Sequence, residues 1–197
     1  MGRSREFDTE EVLLKIMRTF WHKGYFNTSI DDLMRASGLT KASLYNAFGY
    51  KKDIYISCVE KFTETFILPL KSKFTKASDK PFEVVKDFLV ELFSAQDQRQ
   101  AVAGCFLINT VTECHCLNDR DIFKTAHQTI LSVESEIADF LFRSLNDVTE
   151  KTCKNVAHFI IMNIQGLRIS AKRGYDQRSI QESINNIVIA AKTLAER

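Results

Sequence analysis

The sequence predicts an all-α protein of about nine helices, because turn-forming residues are scarce and apolar residues recur at helical spacing. The 197 residues include 7 Gly and 2 Pro against 15 Phe, and 45% of the chain is hydrophobic. Apolar side chains return every three to four positions along most of the chain, and no segment alternates cleanly at period two. A sheet protein is therefore not expected.

The first two helices are predicted from their caps. Asp8 suits the N-cap of the first helix, and Gly24 suits its end. Thr28 or Ser29 can cap a second, short helix, with Asp31 three residues after Thr28 as in a capping box.

The third helix is expected to project from the surface. Gly38 closes the second helix, and Thr40 caps a third over residues 41–48, whose Leu44 and Phe48 fall on one face. Two short helices joined at a glycine-containing turn are typical of a helix-turn-helix.

Longer and more apolar helices are predicted for the rest of the chain. One begins near Lys51 and is kinked or ended by Pro69, and Pro81 lies in the first turn of the next. Further helical stretches cover residues 104–113, 119–145 and 147–172, and Asp176 caps the last helix.

The outward face of the third helix suits the major groove of DNA. It combines a cation, small residues and hydrogen-bonding groups, namely Lys41, Ala42, Ser43, Tyr45 and Asn46. Slim polar side chains let a helix approach base edges closely. A solvated helix without a DNA partner would show the same polarity, so this alternative stays open at this point.

Residues 25–55 resemble the DNA-binding signature of the TetR/AcrR family. The matching positions include Thr28-Ser29, Ala36-x-Gly38, Thr40-Lys41, Leu44-Tyr45, Phe48 and Lys51. The resemblance implies that Thr28, Ser29, Tyr45 and Lys51 lie near phosphates and that Lys41, Ala42 and Ser43 lie near bases, with Thr40 and Asn46 beside them. Tyr50 and Lys52 depart from the family pattern. Arg3 and Arg5 are expected to add charge in the minor groove.

Charge is distributed unevenly between the two predicted domains. Residues 1–52 carry nine Lys and Arg against six Asp and Glu, whereas residues 53–197 carry 18 against 19. The predicted division is a DNA-binding domain over residues 1–52 and a ligand-binding and dimerisation domain over residues 53–197.

The resemblance implies that the larger domain binds a small-molecule effector and pairs two subunits. The stretch Gly104 to Asn109 with Glu113 resembles an element that recurs in the ligand domains of the family. Dimerisation is expected through the two C-terminal helices, with the stripe from Ile180 to Leu194 as contact face or, alternatively, as a seal of the monomer core. The expected pocket residues are Phe62, Phe66, Phe88, Phe93, Cys105, Phe106 and Phe159.

The cysteines leave a second kind of signal open. There are five, without paired spacing, so neither a disulfide framework nor structural zinc is expected. Thiol oxidation or alkylation at Cys105 is an alternative to a reversible ligand. A metal site on Cys114, His115 and Cys116 is disfavoured, because consecutive residues cannot all converge on one ion. No cofactor is predicted.

Other functional classes fit the sequence less well. The four histidines have no nucleophile signature beside them, and no phosphate-binding glycine loop or HExxH motif is present, so a cysteine-dependent enzyme is disfavoured. An interaction module that retains the helix-turn-helix without binding DNA is a third alternative. The chain has no signal-peptide-like N-terminus, which predicts a cytoplasmic protein. The expected function is repression that a small molecule relieves.

Overall fold

The all-α prediction is confirmed. The structure, a computed structural model, describes residues 8–94, 103–114, 120–174 and 176–197. Within these ranges every regular element is helical, and nine helices have eight residues or more. None of the described helices is long and apolar enough to cross a bilayer.

The helices are numbered here in chain order. They are α1 (Thr9–Lys23), α2 (Ile30–Ser37), α3 (Lys41–Phe48), α4 (Lys51–Phe62), the short α5 (Leu68–Lys71), α6 (Pro81–Phe93), α7 (Phe106–Cys114), α8 (Arg120–Ser144), α9 (Glu150–Lys172) and α10 (Gln177–Ala195). A π-helical turn (Thr63–Ile67) lies between α4 and α5, and a 3-10 turn (Ser72–Phe74) follows α5.

The described residues form two compact units. The first contains the chain up to Thr65 together with the segment Phe106–His127, and the second contains Phe66–Cys105 and Gln128–Arg197. Helix α7 thus belongs to the same unit as α1–α4. The predicted boundary between residues 52 and 53 separates a DNA-binding domain from a ligand-binding and dimerisation domain. This functional division stays a prediction.

The first unit is built around α1. Helix α1 packs against α2 and α4. Helix α3 also packs against α2 and α4, and α7 packs against α4. The core is strongly aromatic: the Phe106 ring of α7 lies 5.3 Å from that of Tyr55 and 5.6 Å from that of Phe62. Tyr55 is buried and shares a 2.8 Å hydrogen bond with Thr110 of α7. Burial raises the pKa of Tyr55 well above its usual range.

The caps of α1, α3 and α10 are those predicted, Asp8, Thr40 and Asp176. The capping box of α2 is shifted by one residue from the expected pair, since it joins Ser29 to Asp32. Thr28 is buried instead, and its hydroxyl donates to the Gly24 carbonyl at 2.6 Å. Either hydroxyl satisfies the sequence pattern, and the burial of Thr28 leaves Ser29 as the cap.

Pro69 does not end the helical path. After α4 the chain makes the π-helical turn and continues as α5, with Pro69 in its first turn. Pro69 has no amide donor, and the helical path departs from α-helical geometry in the π-helical turn just before it.

In the second unit α10 packs against α6 and α9. The stripe on α10 is largely turned into this core, where Ile180, Ile184, Ile187 and Ala191 are all buried. For these four residues the monomer-core alternative is the correct one. Leu194 at the end of the stripe remains 36% exposed.

Asp32 links α1 to α2 through a network of hydrogen bonds. Its carboxylate accepts from Lys23 at 2.7 Å and from Arg35 at 2.6 Å, and it accepts from the Ser29 amide at 3.0 Å. Lys23 is the largest of the causes that, with Ser29 and Arg35, hold the pKa of Asp32 far below its usual range.

This pKa predicts an acid-dependent part of the stability. Because the folded-state pKa lies below the unfolded value of about 3.9, the contribution is complete at neutral pH, begins to fall near that value and is lost as the pH drops towards the folded-state pKa. The free energy of unfolding of wild type should therefore exceed that of Asp32→Asn by less at about pH 3 than at about pH 7. Urea titrations at the two pH values measure this difference. Asp31→Asn, on the same turn of α2, is the control, and an Asp32→Asn difference that stays constant with pH would contradict the assignment.

Candidate DNA-binding surface

Helix α3 is presented by a tight turn and held by one buried anchor. Gly38 ends α2 with φ of 71°, a left-handed conformation that favours glycine. The Thr40 side chain then accepts a hydrogen bond from the Ser43 amide at 3.2 Å and starts α3. Leu44 is the buried residue of the helix, with no exposed surface. Ala47 and Phe48 are half-buried, and the exposed residues of α3 face outward.

The residues predicted to face DNA lie on the accessible side of α3. Lys41, Ala42 and Asn46 are exposed, and Ser43 and Tyr45 are half-buried. The Thr40 hydroxyl donates to that of Ser43 at 3.0 Å, so these two hydroxyls lie together at the start of the helix. The surface combines one cation with small and hydrogen-bonding groups, and it carries no acidic side chain.

Two tyrosines and a lysine extend this surface towards α4. The Lys41 ammonium lies 5.7 Å from the centre of the Tyr45 ring, and that ring lies 5.2 Å from the ring of Tyr50. Tyr50 is the N-cap residue of α4 and is 72% exposed. The sequence interpretation treated Tyr50 only as a departure from the family pattern. The sequence did contain a signal for this role, because Tyr50 is a large aromatic residue at the start of the helix that follows α3.

Lys51 is less free than its predicted phosphate role suggests. Its ammonium lies 4.6 Å from the centre of the Tyr25 ring, and the side chain is half-buried. Burial lowers the pKa of Lys51, an effect that the charge of Glu113 opposes. The neighbouring Lys52 pairs with Asp121 at 2.6 Å.

Thr28 and Ser29 differ in how they could meet a phosphate. The Thr28 side chain is buried, whereas Ser29 is exposed at the start of α2. The Ser29 hydroxyl is bonded to the Asp32 carboxylate at 2.9 Å. Both phosphate contacts stay predictions, and Arg3 and Arg5 lie outside the described residues.

The turn between α1 and α2 is held by Glu113 of α7. One carboxylate oxygen accepts from the Tyr25 amide at 2.9 Å, and the other accepts from the Phe26 amide at 2.8 Å. Gly24, with φ of 81°, makes room for this approach, since a Cβ there would lie 2.8 Å from a Glu113 oxygen. The sequence interpretation included Glu113 in a recurring element of the ligand domain and missed this contact.

The seven expected pocket residues are divided between the two units. Phe62 and Phe106 are buried in the first unit, where the Trp21 ring lies 5.1 Å from that of Phe62. Phe88 and Phe93 are buried in the second unit, and Phe66, Cys105 and Phe159 are half-buried there. Their role in ligand binding stays a prediction.

An open groove of about 560 Å³ runs along α9 and α10 in the second unit. Apolar and small polar side chains line it, namely Phe159, Met162, Asn163, Gly166, Leu167, Ser170, Ser183, Asn186 and Ile187. Met162 is 54% exposed, which is high for a large apolar residue.

Among the described residues, no three His, Cys, Asp or Glu side chains are placed to hold a metal ion. Cys114 is buried, and His115 and Cys116 lie outside the described ranges. Burial raises the pKa of the Cys58 and Cys153 thiols. Cys105 is the described cysteine that keeps partial exposure.

Comparison with known proteins agrees with the geometry of this surface. Residues 12–58 match the family model of bacterial regulatory proteins of the tetR family. The HTH-type transcriptional repressor ComR of Escherichia coli (strain K12) is 27% identical over 176 residues, which span 88% of this chain and 83% of ComR.

Solved structures share the fold of the whole chain. A TetR-family transcriptional regulator from Cytophaga hutchinsonii matches with a TM-score of 0.80 at 19% identity, covering 100% of both chains. The TetR-family regulator CifR, solved in complex with operator DNA, matches with a TM-score of 0.75 at 20% identity over 95% of this chain and 99% of CifR. From the matched helix-turn-helix, the relatives and the shared fold together, the chain belongs to the TetR family of bacterial transcription regulators.

Proposed function

We propose that the protein is a repressor that binds operator DNA as a homodimer and leaves it when a small molecule binds the C-terminal helical region. The observation that carries the proposal is the exposed, acid-free face of α3, held by the single anchor Leu44. ComR is named a transcriptional repressor, and CifR was solved with its operator, which supports the same role here. We place this action in the cytoplasm, where the DNA is.

Lys41 and Tyr45 are assigned different tasks on the DNA. Lys41 is exposed at the first position of α3, where a cation can donate to the acceptors of guanine in the major groove. Tyr45 is half-buried between Lys41 and Tyr50, a position that suits a hydroxyl directed at the backbone. Base contacts set sequence preference, and phosphate contacts set register. Ala42 and Ser43 offer close approach beside Lys41.

This assignment predicts separable losses in operator binding. Lys41→Ala should weaken binding to the intergenic DNA upstream of the gene by roughly 10-fold or more, and Tyr45→Ala should weaken it several-fold. Fluorescence anisotropy at several salt concentrations measures both effects. Neither variant should unfold the protein, since neither side chain is in the core.

The control is Lys154→Ala, which removes an exposed cation of α9 that pairs with Glu150. It should leave operator affinity at the wild-type value. If Lys41→Ala and Tyr45→Ala also bind as wild type does, the α3 surface is not the reading surface, and a helix-turn-helix that serves only protein contacts becomes the better explanation.

The groove on α9 and α10 is proposed as the dimer contact. Two copies of a two-helix face form a four-helix arrangement, which requires apolar residues on the outside of the monomer. Met162 and Ile169 of α9 are both 54% exposed, and no described atom outside the adjoining backbone of α9 lies within 4 Å of the position that a Cβ on Gly166 would take. The exposed glycine permits close approach of a partner helix.

A charge in this groove should separate the subunits. Met162→Glu places an unpaired carboxylate in the proposed contact, where burial without a partner is costly. We expect a dimeric wild type and a largely monomeric variant in sedimentation velocity at matched concentrations. Leu131→Glu, at a residue of α8 that is 47% exposed, is the matched control and should stay dimeric. A dimeric Met162→Glu protein would exclude this groove as the contact.

Release from DNA is proposed to be a population shift. A ligand favours a dimer whose two reading heads are wrongly spaced for successive major grooves. Helix α7 is the element suited to transmit the change, because the chain enters it directly from Gly104 and Cys105 of the second unit while Glu113 holds the α1–α2 turn. Inducer and operator should then weaken each other's binding by the same factor.

A further inference from the structure

Arg168 of α9 is a cation that is largely withdrawn from water in the second unit. Its Nε is fully buried and has no hydrogen-bond partner among the described residues. One terminal nitrogen, Nη2, donates to the Leu92 carbonyl at the end of α6. The guanidinium carbon lies 4.5 Å from the centre of the Phe93 ring. Within the ranges that the structure describes, no carboxylate lies within ion-pair distance of Arg168.

This arrangement differs from that of other arginines in the same unit. Arg143 has Glu136 at 3.9 Å, and Arg178 has Glu182 at 3.0 Å. Arg168 has no carboxylate partner in the described part of the chain, and its access to water is restricted. Burial lowers its pKa, an effect that the nearby Cys105 thiol opposes. A buried charge normally has a partner, because desolvation without one is strongly unfavourable.

A second positive charge lies one helical turn further along α9. Lys172 follows Arg168 by four residues, so the two side chains share a face of the helix. The Lys172 stem crosses Gly104, where a Cβ would come within 2.7 Å of its Cε. Two positive charges at this spacing repel each other in an isolated helix. An anion bound between them would be attracted by both, so the net electrostatic interaction would become favourable.

We infer that Arg168 is the anchor for the carboxylate group of a small organic acid, which is the effector of this regulator. The inference rests on the proposed function and deepens it by naming the chemical class of the ligand. A carboxylate matches the planar fork of Nε and a terminal nitrogen, and it satisfies the donor that has no acceptor. The buried Phe93 ring beside the guanidinium makes the surroundings of this charge apolar, which strengthens its attraction for an anion.

The position of Arg168 also suits an effector. Cys105, which lies near Arg168, directly precedes α7 in the chain. Helix α7 carries Glu113, which holds the α1–α2 turn at the reading head. An acid bound at Arg168 therefore lies near Cys105, the residue from which the chain continues into the helix that the proposed release mechanism uses.

Isothermal titration calorimetry on the full chain without DNA tests the inference. The probes are benzoate and hexanoate, each compared with its neutral amide, benzamide or hexanamide. We expect at least one acid to bind wild type about 10-fold or more tightly than its amide, because the charged hydrogen bonds are lost with the amide. Arg168→Gln should weaken acid binding by a similar factor, whereas Arg178→Gln, at a side chain that is 90% exposed, should not.

The inference is overturned if neither acid binds, if acid and amide bind equally, or if Arg168→Gln binds the acid as wild type does. The comparison of acid with amide needs only the wild-type chain, so it stands even if Arg168→Gln does not fold. Should no acid bind and Arg168→Gln slow the alkylation of Cys105 by iodoacetamide, Arg168 serves the thiol instead. Operator binding without any acid tests the proposed function by itself, so the two failures are distinguishable.

Discussion

Two hydrogen bonds from the backbone amides of Tyr25 and Phe26 to the Glu113 carboxylate hold the DNA-reading helices in place. The turn that they fix sets where α1 ends and α2 begins, and α2 in turn positions α3 through Gly38. Thr110 of the same helix bonds Tyr55 in the core of the unit. Because α7 makes both contacts, a displacement of α7 changes the support of the turn and of α4 together. The α1–α2 turn is therefore supported by a helix that lies far from it in sequence.

Helix α3 has one side that packs on the rest of the first unit and one side that is exposed. Leu44 alone is buried, so the helix gains its position from one apolar contact and from caps and turns rather than from a large buried face. The cost is low intrinsic stability, since a helix of eight residues is marginal by itself. The benefit is that nearly the whole outer face is available to DNA. The aromatic rings of Phe106, Tyr55 and Phe62 pack closely in the core of the unit to which α3 belongs, and this core stabilises the helices against which α3 packs.

Local signals predicted most of the fold and the exposure of the α3 residues that are proposed to read DNA. Caps such as Asp8, Thr40 and Asp176 act within one turn of chain, so the sequence reveals them directly. Contacts distant in sequence were not predictable in this way. Glu113 meets residues almost ninety positions earlier, and the absence of a partner at the Arg168 Nε becomes visible only when α6 and α9 are brought together. The Ile180 stripe showed that α10 is amphipathic, but periodicity does not distinguish a monomer core from a subunit contact.

Whether Glu113 of α7 holds the α1–α2 turn for DNA binding is tested by the operator affinity of Glu113→Ala. The control is Asp139→Ala, which removes an exposed carboxylate of α8. The comparison is made at a temperature where both variants retain the wild-type helical content. We expect Glu113→Ala to bind the operator roughly 10-fold or more weakly and Asp139→Ala to bind it as wild type does, because the reading heads of the dimer must fit successive major grooves. Equal affinity of the two variants would show that the α1–α2 turn does not depend on α7.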